Sequence, residues 1–245
     1  MKGKVPNFND GKLYITIPLM ATSMEDLKTQ VNEAKGETPD MYEWRADALV
    51  GIDKKETRDA AIKMVRELVG DTPVLFTCRD FNDRGKQEFP VEVKRAIIED
   101  AVKSDGIDVV DVELTHGKEY ITRLRELAHA NGVLLLIAHH DWENTPSDDE
   151  MTKIIKEEYD MGADILKYAF QPATYGDIAR IAETTLNAKK AWQNRPCFSI
   201  AGGEKGMMSR ICGRALGTNL CFASIGKTMQ VHIQDLRRLD KLMFG

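Results

Sequence analysis

Short apolar segments alternate with helix-like segments along the whole chain, and this alternation constrains the fold more than any other feature. The stretches between the apolar segments have the spacing and polar flanks of amphipathic helices, as at 23–35, 90–104 and 177–192. The eight strand-like segments are LYITIPLM (13–20), DMYEWRADAL (40–49), PVLFTCR (73–79), IDVVDVEL (107–114), GVLLLIAHH (132–140), ADILKYAF (163–170), PCFSIAG (196–202) and LCFASIG (220–226). Strands that alternate with helices form βαβ units and a parallel sheet.

Eight such units in 245 residues match the size and strand count of a (β/α)8 TIM barrel. A doubly wound open sheet more often begins with a glycine-rich GxGxxG turn, and the sequence contains none. We therefore predict an α/β chain whose residues 1–245 form a single (β/α)8 domain.

Charge and composition exclude several classes of partner. The net charge of −5 offers no attraction to nucleic acid or to an anionic membrane surface. The longest strictly apolar run, at 133–138, is far shorter than the roughly 20 residues that cross a bilayer. The four cysteines form no CxxC pair, and the start of the chain has no hydrophobic leader segment. We expect a cytoplasmic protein that binds neither nucleic acid nor membrane.

One predicted strand carries a lysine among large apolar residues. Lys167 lies in ADILKYAF, although an ammonium group is among the side chains least willing to leave water. Alternate residues of a barrel strand point inward and toward the helices. The bulky residues Leu166, Tyr168 and Phe170 suit the helix side, so Lys167 is expected to face the interior.

Other charged residues fall on the inward-facing positions of the predicted strands. Barrel interiors are usually filled with Val, Ile and Leu, and active sites lie at the carboxyl ends of the strands. Charged groups there are costly unless they pair with one another and serve a site. The inward-facing set comprises Glu43, Arg45, Arg79, Asp111, Glu113 and a histidine of the pair His139 and His140. We predict a functional site at these strand ends.

A buried lysine has a specific chemistry. Burial disfavours the charged form of a lysine, and a neutral amine attacks a carbonyl to form a Schiff base. The iminium then acidifies the adjacent carbon, and a second group must move the protons. Histidine is the usual choice, and His140 or His139 stands at the end of the adjacent predicted strand.

A metal site is a weaker interpretation of the same region. Its ligands would be His139, His140, Asp141 and Glu113. Adjacent histidines point to opposite faces of a strand, however, so the two could rarely bind one metal ion. The sequence also contains no HxH or HExxH spacing.

The segment after the seventh predicted strand suggests an anion site. The glycine-rich AGGEKG (201–206) stands where barrels often bind phosphate. Arg210 follows on the next predicted helix, and an arginine can clamp a carboxylate with two hydrogen bonds. The sequence leaves phosphate and carboxylate open at this point.

Six motifs, taken in order along the chain, resemble type I 3-dehydroquinate dehydratases. They are EWRADAL (43–49), FTCR (76–79), DVEL (111–114), HHDWENTP (139–146), ADILKYA (163–169) and GMMSRICG (206–213). The resemblance implies a (β/α)8 barrel, a homodimer and a place in the shikimate route to aromatic amino acids. It also implies syn elimination of water from 3-dehydroquinate through a lysine Schiff base, without metal or cofactor.

The resemblance assigns a role to individual residues. It implies that Lys167 forms the Schiff base and that His140, followed by Asp141 and Trp142, is the general acid and base. Arg210 would hold the substrate carboxylate. The residues expected to bind the ring hydroxyls or to close over the substrate are Glu43, Arg45, Arg79 and Gln230.

The sequence departs from the family pattern in two loops. A glutamate usually follows the arginine of the third strand by four residues and assists the histidine; here Asp83 stands at that position and Glu88 lies further along. Asp83 is the candidate for the assisting role, and the sequence leaves Glu88 open as the alternative. The loop before the last helix, GKTMQ (226–230), is about three residues shorter than the family pattern and lacks its serine.

These departures keep other functions open. A class I aldolase acting on a related keto-acid would use the same lysine, although such enzymes often need a site that binds a phosphate group of the substrate. A dehydratase-like protein of low activity, retained for binding, is the other alternative. Both Lys167 and His140 are present, which argues against loss of catalysis.

Overall fold

The predicted alternation of strands and helices is present in the structure, a computed structural model that describes residues 2–226 and 230–245. The strands are β1 (Tyr14–Leu19), β2 (Met41–Arg45), β3 (Val74–Thr77), β4 (Val109–Glu113), β5 (Leu134–Asp141), β6 (Ile165–Phe170), β7 (Cys197–Ala201) and β8 (Leu220–Phe222). The helices are α1 (Met24–Gly36), α2 (Lys55–Val69), α3 (Val91–Lys103), α4 (Lys118–Ala130), α5 (Asp148–Asp160), α6 (Tyr175–Ala191), α7 (Met208–Ile211) and α8 (Ile233–Phe244).

The helix starts follow local capping chemistry. The hydroxyl of Ser23 accepts the Asp26 N–H, so α1 begins where the sequence predicts. Pro90 precedes α3, which therefore starts one residue after the predicted segment at 90. The hydroxyl of Thr174 caps α6, which therefore starts two residues before the predicted segment at 177.

The strands follow the order β7-β6-β5-β4-β3-β2-β1-β8 in one sheet. Each strand neighbours the next along the chain, and β8 lies beside β1. This is the strand order of a (β/α)8 barrel. No helix in the described part of the chain is long and apolar enough to span a membrane.

Backbone contacts divide the chain into two compact units. The first comprises Ile17–Leu136 with the start of the chain up to Pro6. In this unit β2 and β3 pair in parallel, and the rings of Trp44 and Phe76 meet edge to face at 5.3 Å. On the alternate positions, the Thr77 hydroxyl donates to Glu43 Oε1 at 3.0 Å. Apolar and polar residues of these strands therefore separate onto opposite faces, as the alternation predicts.

The second unit comprises Asn7–Thr16 and Ile137–Gly245. Here β6 pairs with β7, with Lys167 beside Phe198, and β8 pairs with the first residues of β1. The Asn219 N–H donates to the Cys197 carbonyl at 3.0 Å, which joins the start of β8 to the start of β7. The last strand thus pairs with β1, and its start is hydrogen-bonded to the start of β7.

Candidate active site

Lys167 is buried in the middle of β6, with 2% of its surface exposed. Its neighbour Tyr168 donates a hydrogen bond to the Thr185 hydroxyl on α6 at 3.1 Å, which places Tyr168 on the helix side of the strand. Lys167 therefore faces the opposite side, as the alternation predicts. Its Nζ lies 5.2 Å from the centre of the Phe222 ring, a distance at which an aromatic face attracts an ammonium group.

The two histidines at the end of β5 lie in different surroundings. The ring of His139 is 6.2 Å from that of Phe170, which shares the helix-side face of β6 with Tyr168. His140, one residue later, points to the other face of β5. Its ring stacks on Trp142 with centroids 5.1 Å apart. Since β5 and β6 are neighbours, His140 is the histidine on the face of Lys167.

Arg210 lies in α7, close to the end of β7. Its Nη1 donates to the carbonyl oxygens of Ala201 and Gly206 at 3.0 and 3.2 Å. Burial lowers the pKa of this guanidinium, and its Nε has no hydrogen-bond partner among the described residues. Because two neutral carbonyl groups leave its charge uncompensated, Arg210 is suited to receive an anion.

The glycines of AGGEKG are explained by packing. A Cβ atom on Gly206 would lie 2.1 Å from the Ala201 carbonyl oxygen, and one on Gly202 would lie 2.4 Å from Oε1 of Gln171. The Gly202 N–H donates to the Phe170 carbonyl, so it is not available to a phosphate. These contacts give both glycines a packing role that does not depend on a bound anion.

Gln230 is half-buried, and its carbonyl oxygen accepts from the Ser224 hydroxyl at 3.2 Å. The shortened loop expected before it, at 226–230, includes residues 227–229, which lie outside the described part of the chain. The contact with Ser224 anchors the backbone of Gln230 beside the end of β8.

In the first unit, Arg79 is the centre of a group of carboxylates. It lies two residues beyond β3, with 5% of its surface exposed. Its guanidinium nitrogens lie 3.2 Å from Asp83, 3.2 Å from Asp111 and 3.1 Å from Glu113. Burial by itself lowers the pKa of the guanidinium, but the three carboxylates outweigh this effect and raise it.

The same contacts separate Asp83 from Glu88. Asp83 ends a short 3₁₀ turn, Phe81–Asp83, from which its carboxylate reaches Arg79. Glu88 is exposed. The structure therefore brings Asp83, rather than Glu88, into the charged group around Arg79.

Glu43 in the middle of β2 and Arg45 at its end have different partners. Glu43 is buried and accepts from Thr77. Arg45 forms a bidentate pair with Asp47, with both distances 2.9 Å. Burial by itself lowers the pKa of Arg45. The hydrogen bonds and the charge of Asp47 outweigh this effect and raise the pKa. Asp47, which the sequence reasoning missed, also accepts the backbone N–H groups of Arg79 and Lys86 and so orders the loop after β3.

A second group that the sequence reasoning missed lies behind Arg79. Lys94 of α3 contacts Asp80 and lies 3.0 Å from Glu113, and His116 lies 3.4 Å from both carboxylates. A sequence signal was available. Helical spacing places Lys94 on the buried face of α3, which also carries Ile97, Ile98, Ala101 and Val102. A lysine at such a position needs a charged partner, because burial of an unpaired ammonium group is costly. This group shares only Glu113 with the metal ligands considered above, and the Lys94 ammonium lies between its carboxylates.

The second unit thus carries a buried amine on β6, a histidine on the same face of β5 and an arginine with uncompensated charge. An amine that attacks a carbonyl, a group that moves protons and a cation that holds an anion are the parts needed to process a carboxylate-bearing ketone through a Schiff base.

Known proteins resemble the chain over nearly its whole length. The model of the family described as type I 3-dehydroquinase matches residues 15–245. A 3-dehydroquinate dehydratase from Alkaliphilus oremlandii is 30% identical, covering 98% of this chain and 95% of the relative. The crystal structure of 3-dehydroquinate dehydratase from Geobacillus kaustophilus has a TM-score of 0.91 at 27% identity, covering 95% of this chain and 91% of that one.

A further solved structure is similar to the same degree. The type I 3-dehydroquinate dehydratase from Clostridium difficile, described with covalent modified comenic acid, has a TM-score of 0.92 at 25% identity. The match covers 96% of this chain and 93% of that one. Together with the strand order, these similarities confirm the predicted (β/α)8 fold.

Proposed function

This chain belongs to the type I 3-dehydroquinase family, and on that premise we propose that it is a hydro-lyase converting 3-dehydroquinate to 3-dehydroshikimate. The observation that carries the proposal is the burial of Lys167 on the face of β6 that turns away from the helices. Such a lysine is costly to bury and is suited to covalent catalysis.

The reaction begins with formation of an imine. The free amine of Lys167 attacks the C3 carbonyl of 3-dehydroquinate, a C–N bond forms, and the carbonyl oxygen leaves as water. The resulting iminium withdraws electrons from C2 and so lowers the barrier to removing a proton there. The covalent modification described for the Clostridium difficile relative supports covalent chemistry in this family.

Elimination follows from the iminium. His140 takes the proton from C2, and the electron pair moves into an enamine. The enamine expels the C1 hydroxyl as His140 returns a proton to it, so one water is released with syn stereochemistry. Water then hydrolyses the new iminium, which frees 3-dehydroshikimate and regenerates the Lys167 amine. One water is consumed and two are released, giving a net dehydration.

The other side chains bind and orient. We assign the substrate carboxylate to Arg210, whose charge is met only by neutral carbonyl groups among the residues described. Asp83 is assigned to support His140, and Gln230 to cover the substrate. Binding of the ring hydroxyls is assigned to Glu43, Arg45 and Arg79.

Replacing Arg210 with glutamine is expected to raise the KM for 3-dehydroquinate about 10- to 100-fold, with a smaller change in kcat. Hydrogen bonds to a charged group contribute about 1.5–3 kcal/mol, and about 1.4 kcal/mol corresponds to tenfold in affinity. Steady-state kinetics over a range of substrate concentrations measures both constants.

Arg214→Gln is the matched control. Arg214 follows Arg210 by one turn, but it pairs with Asp240 at 3.4 Å and packs over Phe244. Its replacement is expected to leave KM unchanged. A wild-type KM in Arg210→Gln would remove Arg210 from the carboxylate site.

The direct test of the proposed function is turnover combined with chemical trapping. We expect the protein to convert 3-dehydroquinate, with the enone product followed by its ultraviolet absorbance. Borohydride added during turnover should leave a reduced adduct on the peptide that contains Lys167, detected by mass spectrometry. A relative such as the Geobacillus kaustophilus enzyme serves as the positive control.

The outcomes distinguish the alternatives. An adduct without dehydration, or cleavage of a carbon–carbon bond in another keto-acid, would favour a class I aldolase. An absence of adduct in folded protein, with the control labelled in parallel, would contradict a Schiff-base enzyme and favour a binding protein.

Several finer properties belong to the same proposal. The continuous match of the family model over 15–245 supports one catalytic domain comprising the whole chain. The resemblance of the motifs supports a homodimer and a role in the shikimate pathway of aromatic amino acid biosynthesis. We assign the enzyme to the cytoplasm, where a small charged substrate of biosynthesis is available.

A further inference from the structure

Lys94 is a buried lysine that the proposed reaction does not use. It has 4% of its surface exposed and lies on the inner face of α3 beside Ile97 and Ile98. Taking an ammonium group out of water costs several kcal/mol unless other groups compensate. The contacts of Lys94 therefore indicate what it stabilises.

Two carboxylates share the ammonium of Lys94. Its Nζ donates to Oδ1 of Asp80 and to Oε2 of Glu113, the latter at 3.0 Å. Nε2 of His116 lies 3.4 Å from Oε2 of Glu113 and 3.4 Å from the other Asp80 oxygen, Oδ2, to which the Thr115 hydroxyl donates at 3.2 Å. Burial opposes the charge of Lys94, but Glu113 and Asp80 outweigh it and raise its pKa, so the ammonium stays protonated.

Glu113 connects this group to the arginine. Its Oε2 is held by Lys94, while its Oε1 lies 3.1 Å from Arg79 Nη1 and accepts the Asp80 N–H at 3.1 Å. A carboxylate whose two oxygens have separate fixed partners cannot rotate about its last bond. The orientation of the Glu113 carboxylate therefore depends on Lys94, and the position of Arg79 Nη1 depends on that carboxylate.

The charges around Arg79 make this dependence strong. Three carboxylates, those of Asp83, Asp111 and Glu113, contact its single guanidinium. Lys94 supplies a second positive charge to Glu113. Burial raises the pKa of Glu113, but Arg79, His116 and Lys94 together bring it well below its usual range. Without Lys94, the negative charge of Glu113 would be compensated mainly by Arg79, or Glu113 would take up a proton.

We propose that Lys94 is a positioning residue that fixes the Arg79 guanidinium through Glu113 and so sets substrate affinity. The statement about affinity rests on the proposed function, because it takes Arg79 as a group that binds the ring hydroxyls. The statement about the geometry of Arg79 does not.

The test compares four variants by kinetics and by NMR. Lys94→Met removes the charge at similar volume, Lys94→Arg retains it, and Glu113→Gln neutralises the carboxylate that joins Lys94 to Arg79. Lys103→Met is the matched control, since Lys103 lies on the same helix with an exposed pair to Glu99 at 3.8 Å. NMR of protein labelled with ¹⁵N-arginine follows the Arg79 guanidinium, whose signals are assigned by Arg79→Lys.

Lys94→Met is expected to raise KM about tenfold and to lower kcat less than threefold, since about 1.4 kcal/mol of binding free energy corresponds to tenfold. Lys94→Arg should restore KM to within about threefold of the wild type. The resolved Nη signals of Arg79 should broaden in Lys94→Met as the guanidinium gains rotational freedom. Lys103→Met should change neither measurement.

Unchanged Arg79 signals in folded Lys94→Met would overturn the proposal, and so would a wild-type KM. If Lys94→Met does not fold, Glu113→Gln decides, with unaltered KM and Arg79 signals contradicting the proposal. If the wild-type protein does not turn over 3-dehydroquinate, the proposed function fails, and the NMR comparison still determines whether Lys94 positions Arg79.

Discussion

Lys167→Met is expected to lower kcat for 3-dehydroquinate by about 10⁵-fold, because loss of the attacking group in covalent catalysis removes the whole pathway. Methionine has nearly the volume of lysine and carries no charge. The replacement therefore leaves the packing of β6 in place and removes only the amine. Turnover and the borohydride adduct should both disappear.

Lys156→Met is the control for this variant. Lys156 is an exposed lysine of α5 that pairs with Asp160 one turn later. Its replacement should preserve both turnover and the adduct. If Lys167→Met retained an adduct elsewhere on the chain, or kept more than about 1% of wild-type kcat, the assignment of the nucleophile would be wrong.

Replacing His140 with asparagine is expected to lower kcat by about 10²–10⁴-fold, the usual contribution of general acid–base catalysis. The KM should change much less, because the histidine moves protons in the transition state rather than holding the ground-state substrate. Trapping at long incubation should still label Lys167, only more slowly, since the amine remains. Steady-state kinetics and the time course of adduct formation measure the two effects.

His139→Asn provides a stringent comparison, since the two histidines are adjacent in sequence. The ring of His139 contacts Phe170 on the helix side of the strands, away from the face of Lys167. We expect kcat within about threefold of the wild type, with any loss appearing as reduced stability. A larger kinetic loss in His139→Asn than in His140→Asn would reverse the assignment.

Local sequence patterns predicted much of the candidate active site. The alternation in ADILKYAF placed Lys167 opposite Tyr168, and the hydrogen bond from Tyr168 to Thr185 confirms that division of faces. The choice between His139 and His140 was less certain in sequence. It needed the position of the Phe170 ring, because strand periodicity separates two neighbours without saying which face carries the chemistry.

Loop and helix residues were harder to interpret. Asp83 and Glu88 lie in one loop and cannot be ranked by periodicity, whereas in the structure Asp83 contacts Arg79 and Glu88 is exposed. Lys94 was overlooked because a lysine in an amphipathic helix is usually solvated. Its position on the apolar face of α3 was visible, but its partners Asp80 and Glu113 come from other elements.

The sequence by itself determined the alternation of strands and helices and the α/β class, and it pointed to Lys167 and His140 as the residues proposed to react. These depend on periodicity and side-chain chemistry, which act over a few neighbouring positions. Only the tertiary structure decided that Arg79 pairs with Asp83, Asp111 and Glu113, and that Lys94 compensates Glu113. Hydrogen bonds and ion pairs form only within about 3–4 Å, and residues from separate elements reach that distance only when the chain folds.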